Sequence, residues 1–506
     1  MRPTASGTRQ QLARHTLTMR LGASAVLMAV AVGIGVWMLH GSFLAALVAF
    51  VAALGVIAAI AATEAALYAT IAVACFDGII KGMYPGAFSM VLKDVFLGLA
   101  LLHWAWDGVN GGSRGSLSHR VALPTVMLTL YCVAQMFNSE TMSWVLALAG
   151  LRSWIVWIPV FFITYDTIRT RHQFERLVLF VAVISASTGL YIITQHQIGF
   201  GHLYRLSPHF TFYTNFSQGA AIRAPGTYVH PGTAGSAMSF AATICAGVAL
   251  ASRAFSARQL MLLASAVVCL VAMAATGSRA PLIGAVIGLT TFIATTRRPH
   301  LIVGLALLAV FGLWQSEKYV GRMMSVRYSR SRLNVHVIAD RALGPFTQGF
   351  SMLSKYPLGT GVASGVGAGR GLLLVEEPTY VKAEAAVFIE NEIGRAMKEL
   401  GLPGVALFVW LLWRAMASGM AGWRYSTGRD SWLASGLMAG TVNLCVQLMV
   451  GSALYLAPGG IYFWMACALA SRIPDYEAQD RQALVQRSPE QARAWDEMVR
   501  RVSQDR

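Results

Sequence analysis

The amino-acid sequence predicts an all-α, polytopic integral membrane bundle of about 14 transmembrane helices. Of the 506 residues, 56% are hydrophobic and only 12% are charged, about half the charged fraction of an ordinary soluble domain. The hydrophobic residues form blocks of about 20 residues, the length that a helix needs to cross about 30 Å of hydrocarbon. Strands of a β-barrel would instead alternate over about ten residues, and these blocks do not alternate.

Fourteen hydrophobic blocks can be delimited along the chain. The first follows four arginines, as the apolar part of a signal peptide would, but it is long and no small-residue cleavage site follows it. We therefore interpret it as a retained helix. The blocks lie at about 21–39, 43–62, 65–80, 88–106, 122–138, 144–165, 177–197, 234–251, 259–276, 280–296, 300–316, 400–416, 431–450 and 454–470.

The positive charges follow the predicted topology. The formal net charge is +17, but pairs of arginines occupy alternate turns, whereas the turns near 40, 138–143 and 451–453 have no Lys or Arg. This positive-inside pattern places both termini in the cytoplasm, and it argues against nucleic acid as the partner. The paired residues are Arg114 and Arg120, Arg169 and Arg171, Arg253 and Arg258, Arg297 and Arg298, and Arg424 and Arg429.

This orientation places two long segments on the outer side of the membrane. The second of them is basic, which fits either a solvated face near anionic headgroups or a surface that gathers an anionic substrate. The predicted parts are a cytoplasmic N-terminus at 1–20, transmembrane helices 1–11 at 21–316 with an outer loop at 198–233, a large periplasmic loop at 317–399, helices 12–14 at 400–470 and a cytoplasmic tail at 471–506.

The cysteines and the short motifs exclude several kinds of site. All six cysteines fall inside predicted helices, where a structural apolar role is expected rather than a disulfide or a metal site. The chain has no GxxxxGK[ST] phosphate loop and no HExxH pair. These absences argue against a nucleotide-driven pump and a zinc protease, and no metal site is predicted.

The turn 276–281 joins two predicted helices at their outer boundary. Gly277 allows a tight turn, and Pro281 suits the start of the next helix. Arg279, beside that helix N-terminus, would make a good diphosphate clamp, because a guanidinium group binds phosphate oxygens in bidentate fashion. The alternative is an interfacial arginine that extends its charge to the membrane surface.

A second polar run, 222–232, enters the block that begins near 234. Arg223 would be a second phosphate ligand. His230 would be a polar substrate contact at the membrane surface, or else a residue with a purely structural role.

The third candidate is the segment 388–404. Glu390, Ile393 and Met397 would share one helix face and turn a carboxylate toward the apolar side. Such a carboxylate can have the raised pKa that a general base needs. The alternative is a solvated acid. Asn391 and Arg395 would be further substrate contacts.

Together these segments resemble the O-antigen polymerase and O-antigen ligase superfamily of membrane glycosyltransferases. Ligase-like members typically have His-Asn at the start of the last segment, whereas here Glu390 occupies the His position before Asn391. This difference favours a polymerase. The resemblance rests on Gly150-Leu151-Arg152, the run from Arg223 to Gly226 with His230-Pro231, the turn Gly277-Ser278-Arg279, and the outer loop with Pro357–Gly361 followed by Glu390–Gly404.

The resemblance implies a GT-C-like enzyme of the bacterial inner membrane. It would polymerise undecaprenyl-diphosphate-linked oligosaccharide repeats at the periplasmic face, with no cofactor and with a chain-length regulator and a flippase as partners besides the membrane lipids. Arg279, Arg223 and Arg152 would hold the diphosphate and stabilise its developing charge. Glu390 would take the proton of the acceptor hydroxyl.

Besides a scaffold for a polysaccharide assembly complex, two alternatives of function stay open at this point. The first is glycan transfer of the O-antigen ligase type. The second is a flippase or transporter of lipid-linked saccharide, for which charged or broken helices at mid-membrane would be expected. Few charges interrupt the predicted helices, which argues against an ionic pathway through the bundle.

Overall fold

The computed structural model describes most of the chain. The predicted blocks at 21–39 and 300–316, and nearly all of the block at 43–62, lie outside the described residues. The described residues are 61–83, 87–110, 114–139, 144–211, 217–218, 221–252, 255–296, 335–362, 364, 389, 391–426 and 428–487.

Within these ranges the protein is built from helices, which confirms the predicted all-α class. One short hairpin interrupts them, with β1 (Ser217–Gln218) antiparallel to β2 (Ala221–Ile222). The helices are α1 Thr63–Cys75, α2 Asp77–Met83, α3 Ala87–Val109, α4 Ala122–Gln135, α5 Trp144–Ile155, α6 Pro159–Thr167, α7 Arg171–Ile198, α8 Gly201–Leu206, α9 Pro231–Ala251, α10 Ala257–Ala275, α11 Arg279–Thr296, α12 Val335–Lys355, α13 Glu392–Tyr425, α14 Gly428–Leu448 and α15 Gly459–Arg487.

Six described segments are long and apolar enough to cross a membrane, and a bent pair of helices raises the number to seven. They confirm the prediction of a membrane-embedded helical protein. The total of fourteen remains a prediction. The six segments are α5 with α6, α7, α9, α10, α11 and α13.

Helix α7 begins at a capping box. The Thr170 hydroxyl accepts a hydrogen bond from the Gln173 amide at 3.3 Å, and the Gln173 side chain accepts one from the Thr170 amide at 3.1 Å. Two amide groups that the first helical turn leaves without partners are thereby satisfied.

Replacing Thr170 by alanine is expected to destabilise the protein by about 1 kcal/mol, because the N-cap acceptor is lost. Thermal unfolding of the detergent-purified protein measures the effect. Thr170→Ser is the matched control, since serine keeps the hydroxyl. An equal unfolding midpoint for the alanine and serine variants would contradict the capping role.

Helix α9 is the most buried of the six segments, with 94% of its apolar window inside the protein. Its small residues let neighbouring backbones approach closely. A Cβ atom added to Gly247 would lie 2.5 Å from the Cα atom of Gly436 in α14. Polar side chains join the same two helices: Gln447 donates to the Ser239 hydroxyl at 2.8 Å, and Asn443 donates to it at 3.3 Å.

The block predicted at 65–80 is a broken helix. Helix α1 ends at Cys75, α2 begins at Asp77, and the pair is bent by 66°. Thr227 bonds the backbone groups that the break releases: its hydroxyl donates to the Cys75 carbonyl at 2.5 Å, and its carbonyl accepts from the Gly78 amide at 2.8 Å. Such replacement bonds are what a helix break in a membrane requires.

Turns predicted on one side of the membrane are joined by contacts at one end of the helices. We call this the basic end, and its described residues are 114–120, 168–170, 252, 255–256 and 426. The Arg171 guanidinium bonds both oxygens of Asp430, at 2.5 and 2.8 Å. The Tyr476 hydroxyl donates to the Ile168 carbonyl at 2.7 Å. Arg258 pairs with Glu175 at 2.8 Å.

The segments predicted on the other side form what we call the loop end. Its described residues are 199–211, 217–218, 221–230, 276–278, 356–361 and 449–458. Gln135 donates to the Leu358 carbonyl at 2.7 Å, and Asn138 to the Gly359 carbonyl at 3.1 Å. The segment 356–361 thus lies against α4, and its Thr360 amide donates to the Lys398 carbonyl of α13 at 2.9 Å. The candidate functional residues that the structure describes fall at this end or in the segments that adjoin it.

Candidate functional site

The first cluster of the site joins Arg223 to the turn between α10 and α11. The Arg223 guanidinium donates to the Thr276 carbonyl at 3.3 Å and to the Ser278 hydroxyl at 3.2 Å. Gly277 stands between these partners with a φ of +62°, a conformation that glycine adopts without steric cost. The two runs predicted to hold phosphate, 53 residues apart in the chain, are therefore in direct contact.

Two helix N-termini point into the same cluster. His230 caps α9, with Nδ1 accepting from the Gly232 amide at 2.9 Å, and Arg279 is the first residue of α11. The starts of the two helices touch, since a Cβ atom on Gly235 would lie 2.8 Å from Pro281. Free amide groups and the helix dipoles make such N-termini favourable for anions.

His230 is exposed at the surface of this cluster. Partial loss of hydration beside the protein lowers the pKa of its imidazole, and the positive charge of nearby Arg223 adds to the shift. The ring is therefore neutral near pH 7. It contributes an uncharged polar group next to two arginines, rather than a third positive charge.

The second cluster is a buried ion pair at the start of α13. Arg395 Nε donates to Glu399 Oε1 at 3.0 Å, and the two side chains are 3% and 0% exposed. Trp154 Nε1 donates to Glu399 Oε2 at 2.6 Å, and Arg395 also donates to the Ser153 hydroxyl at 2.5 Å. The guanidinium lies between the rings of Trp154 and Tyr455, 4.6 Å from each centroid.

Glu392 belongs to the same cluster and is 1% exposed. Its Oε1 accepts from the amides of Leu454 and Tyr455, at 2.6 and 2.7 Å. Its Oε2 is buried and accepts no hydrogen bond from any residue that the structure describes. One oxygen of the carboxylate thus joins the start of α13 to the segment after α14 by hydrogen bonds. The other oxygen is available to accept a hydrogen bond.

Asn391 is the N-cap of α13. Its side-chain oxygen accepts from the Gly394 amide at 2.6 Å, and its side-chain nitrogen donates to the Met449 carbonyl at 3.1 Å. Helix α13 then changes direction at Gly401, which has a φ of +65°. A Cβ atom there would lie 2.3 Å from the Leu358 carbonyl carbon, so the segment 356–361 packs directly on the break.

The end of α14 lies between the two clusters. Gly284 and Gly288 of α11 pack on Asn443, and Gly284 also packs on Gln447, so α11 and α14 run antiparallel. Arg279 is five residues before Gly284, about 7.5 Å along the helix, and is therefore level with the segment that follows Gln447. That segment carries the Met449 carbonyl, to which Asn391 is bonded.

The structure places the predicted site residues in two groups. Arg223, Arg279 and His230 lie together in the first cluster, whereas Asn391 and Arg395 lie in the second. Arg152 adjoins the second, because the next residue in α5, Ser153, accepts a hydrogen bond from Arg395 at 2.5 Å.

The predicted catalytic residue Glu390 lies outside the described residues. The prediction of no metal site can be compared with the described residues only. Among the described residues no three His, Cys, Asp or Glu side chains are grouped so as to hold a metal ion. All six cysteines are described, and each is a free thiol.

Sequence analysis assigned no role to Glu392, Trp154 or Tyr455. One signal for Glu392 was present, since 392, 395 and 399 follow an i, i+3, i+7 spacing and therefore form a polar stripe on one helix face. Trp154 and Tyr455 join this stripe from positions more than 50 residues away in the chain.

The site thus consists of two clusters. One holds Arg223 and Arg279 at adjoining helix N-termini, and the other is the buried group of charged residues at the start of α13. This arrangement suits an anionic group on one side and a polar, uncharged group on the other. No protein-family model matches the chain, and no curated protein matches it significantly.

Proposed function

We propose that this protein is a membrane glycosyltransferase that polymerises undecaprenyl-diphosphate-linked oligosaccharide repeats into a surface polysaccharide or exopolysaccharide. The observation that carries the proposal is the contact between Arg223 and the turn 276–278, at the adjoining N-termini of α9 and α11. A lipid diphosphate has the charge and oxygen geometry that such a cluster binds best.

In this proposal the diphosphate is both the bound group and the leaving group. Arg223 and Arg279, with Arg152 as a further ligand, stabilise the negative charge that develops on it as the glycosyl bond breaks. A carboxylate of the segment 390–399 takes the proton of the acceptor hydroxyl, and the family resemblance assigns that role to Glu390. No cofactor takes part.

The same proposal includes the number of transmembrane helices, the membrane and the orientation of the chain in it. The bundle has fourteen transmembrane helices with a GT-C-like arrangement, lies in the bacterial inner membrane, and keeps both termini in the cytoplasm. The loop end then faces the periplasm, where repeat units arrive from a flippase and where a chain-length regulator has access to the growing polymer. The joining of the positively charged turns at the basic end supports this orientation.

The test compares Arg223→Ala and Arg279→Ala in the cells that make the polysaccharide. Both variants are expected to lower polymer formation about 10²–10³-fold, the usual cost of removing one group that stabilises developing charge. Single lipid-linked repeats should accumulate on the outer leaflet. Arg223→Lys is expected to restore only part of the activity, because lysine keeps the charge without the bidentate fork.

Arg258→Ala is the matched control, since Arg258 is a half-buried arginine at the basic end that pairs with Glu175. It should make polymer normally. Normal polymer from inserted Arg223→Ala and Arg279→Ala proteins would contradict the proposal. Repeats trapped on the cytoplasmic leaflet would favour a flippase, and polymer that accumulates on its polyprenyl-diphosphate carrier would favour a ligase.

A further inference from the structure

The two carboxylate oxygens of Glu392 differ in their hydrogen bonds. The amides of Leu454 and Tyr455 occupy Oε1, at 2.6 and 2.7 Å. Oε2 is buried and has no hydrogen-bond partner among the described residues. Leaving a buried charged oxygen without a partner costs free energy, so this atom is expected to meet a donor during the working cycle of the protein.

A small cavity lies against this carboxylate. Its volume is about 20 Å³, enough for one hydroxyl group or one water molecule and too small for a ring. Because Oε1 is occupied, Oε2 is the Glu392 atom that remains for an occupant. Besides Glu392, the cavity is lined by Ser153, Trp154, Trp157, Ile158, Phe408, Leu454, Tyr455 and Trp464.

The walls of the cavity are largely aromatic and suit a hydroxyl group together with the carbon that bears it. Five of the lining residues are aromatic, and the negative faces of aromatic rings attract weakly positive C–H groups, such as the one beside a sugar hydroxyl. A sugar hydroxyl would donate to a carboxylate oxygen held in place by the other hydrogen bonds of Glu392. The neighbouring Arg395 and Glu399 side chains pair with each other. Among the described residues of this cluster, Glu392 Oε2 is a buried acceptor without a partner and Arg395 Nη1 is a buried donor without one. A hydroxyl group, which both donates and accepts, can bond both atoms.

We propose that Glu392 Oε2 binds the acceptor sugar hydroxyl and takes its proton during transfer, an inference that rests on the proposed glycosyltransferase function. In that step the hydroxyl oxygen bonds to the anomeric carbon of the donor glycan, and the bond from that carbon to the phosphate oxygen breaks. The electron pair leaves with the polyprenyl diphosphate, and the hydroxyl proton moves to Glu392 Oε2. Glu392 is thereby assigned the role that the family resemblance gives to Glu390.

Glu392→Gln separates this role from the structural one. Glutamine keeps a side-chain oxygen for the Leu454 and Tyr455 amides but places an NH₂ group, a donor that takes no proton, where Oε2 lies. The full-length variant is expected to keep the wild-type unfolding midpoint. In membrane vesicles given lipid-linked repeats extracted from cells that lack the protein, kcat should fall at least about 10²-fold with little change in KM.

Glu390→Gln and Arg223→Ala are measured beside it. Wild-type kcat in Glu392→Gln would overturn the inference and leave the cavity as a site for a structural water. A loss of kcat in Glu390→Gln alone would also overturn it, by returning the role to Glu390. If Arg223→Ala keeps full activity, the proposed function itself fails. If only Arg223→Ala is inactive, the proposed function stands without this role of Glu392.

Discussion

Replacing Glu399 by alanine is expected to destabilise the folded protein by about 3–5 kcal/mol, because Arg395 would be left buried without its partner. The Arg395 and Glu399 side chains are 3% and 0% exposed, so water cannot take the place of the carboxylate. Trp154 would also lose the acceptor that it reaches at 2.6 Å. The unfolding midpoint of the detergent-purified protein measures the loss.

A series of variants isolates the charge effect. Glu399→Gln keeps an acceptor for Trp154 and is expected to cost less than Glu399→Ala. The double variant Arg395→Met with Glu399→Leu removes both charges and should recover much of the loss. Glu175→Ala breaks the half-exposed pair with Arg258 and should cost less than about 1 kcal/mol. An unchanged midpoint for Glu399→Ala would show that the pair does not stabilise the fold.

Gly247→Leu is expected to prevent the stable packing of α9 against α14. A Cβ atom at this position would lie 2.5 Å from Gly436 Cα and 3.3 Å from Phe292. The first contact is with backbone, which a rotamer change cannot relieve, so the helices would have to move apart. Overpacking of this kind costs about 1–3 kcal/mol or more. The measurement is the yield of monodisperse protein after extraction in mild detergent.

Gly98→Leu is the control for this substitution. Gly98 also lies in an apolar helix, α3, but a Cβ atom there meets no atom of the described residues within 4 Å. This variant should be extracted in the wild-type amount. Similar yields for Gly98→Leu and Gly247→Leu would contradict the close approach of α9 and α14.

The lengths of the hydrophobic blocks predicted the described helices well where each block forms one unbroken transmembrane segment. The block predicted at 144–165 corresponds to Trp144–Thr167, and the block at 280–296 to Arg279–Thr296. The helix break at Phe76 was not predictable in this way, because no proline or glycine stands between 65 and 77. The partner that makes the break stable is Thr227, about 150 residues later.

The arginines of the first cluster were predicted from local turn chemistry, and the structure brings Arg223 to the turn 276–278. The second cluster depends on contacts that no local pattern encodes. Trp154 and Glu399 are 245 residues apart in the chain, and a tryptophan in an apolar block is otherwise indistinguishable from a residue that faces lipid. Only the polar spacing of 392, 395 and 399 was visible in the sequence.

The bonds from Thr227 to the break between α1 and α2 have a consequence for biosynthesis. Residues 75–79 leave the ribosome about 150 residues before Thr227, and their released backbone groups must stay hydrated or bonded elsewhere during that interval. The seven residues of α2 therefore reach their final position only after α7 has been inserted. The segment that carries Arg223 and His230 is placed in the same event. The first cluster is completed later, when the turn 276–278 follows and bonds Arg223.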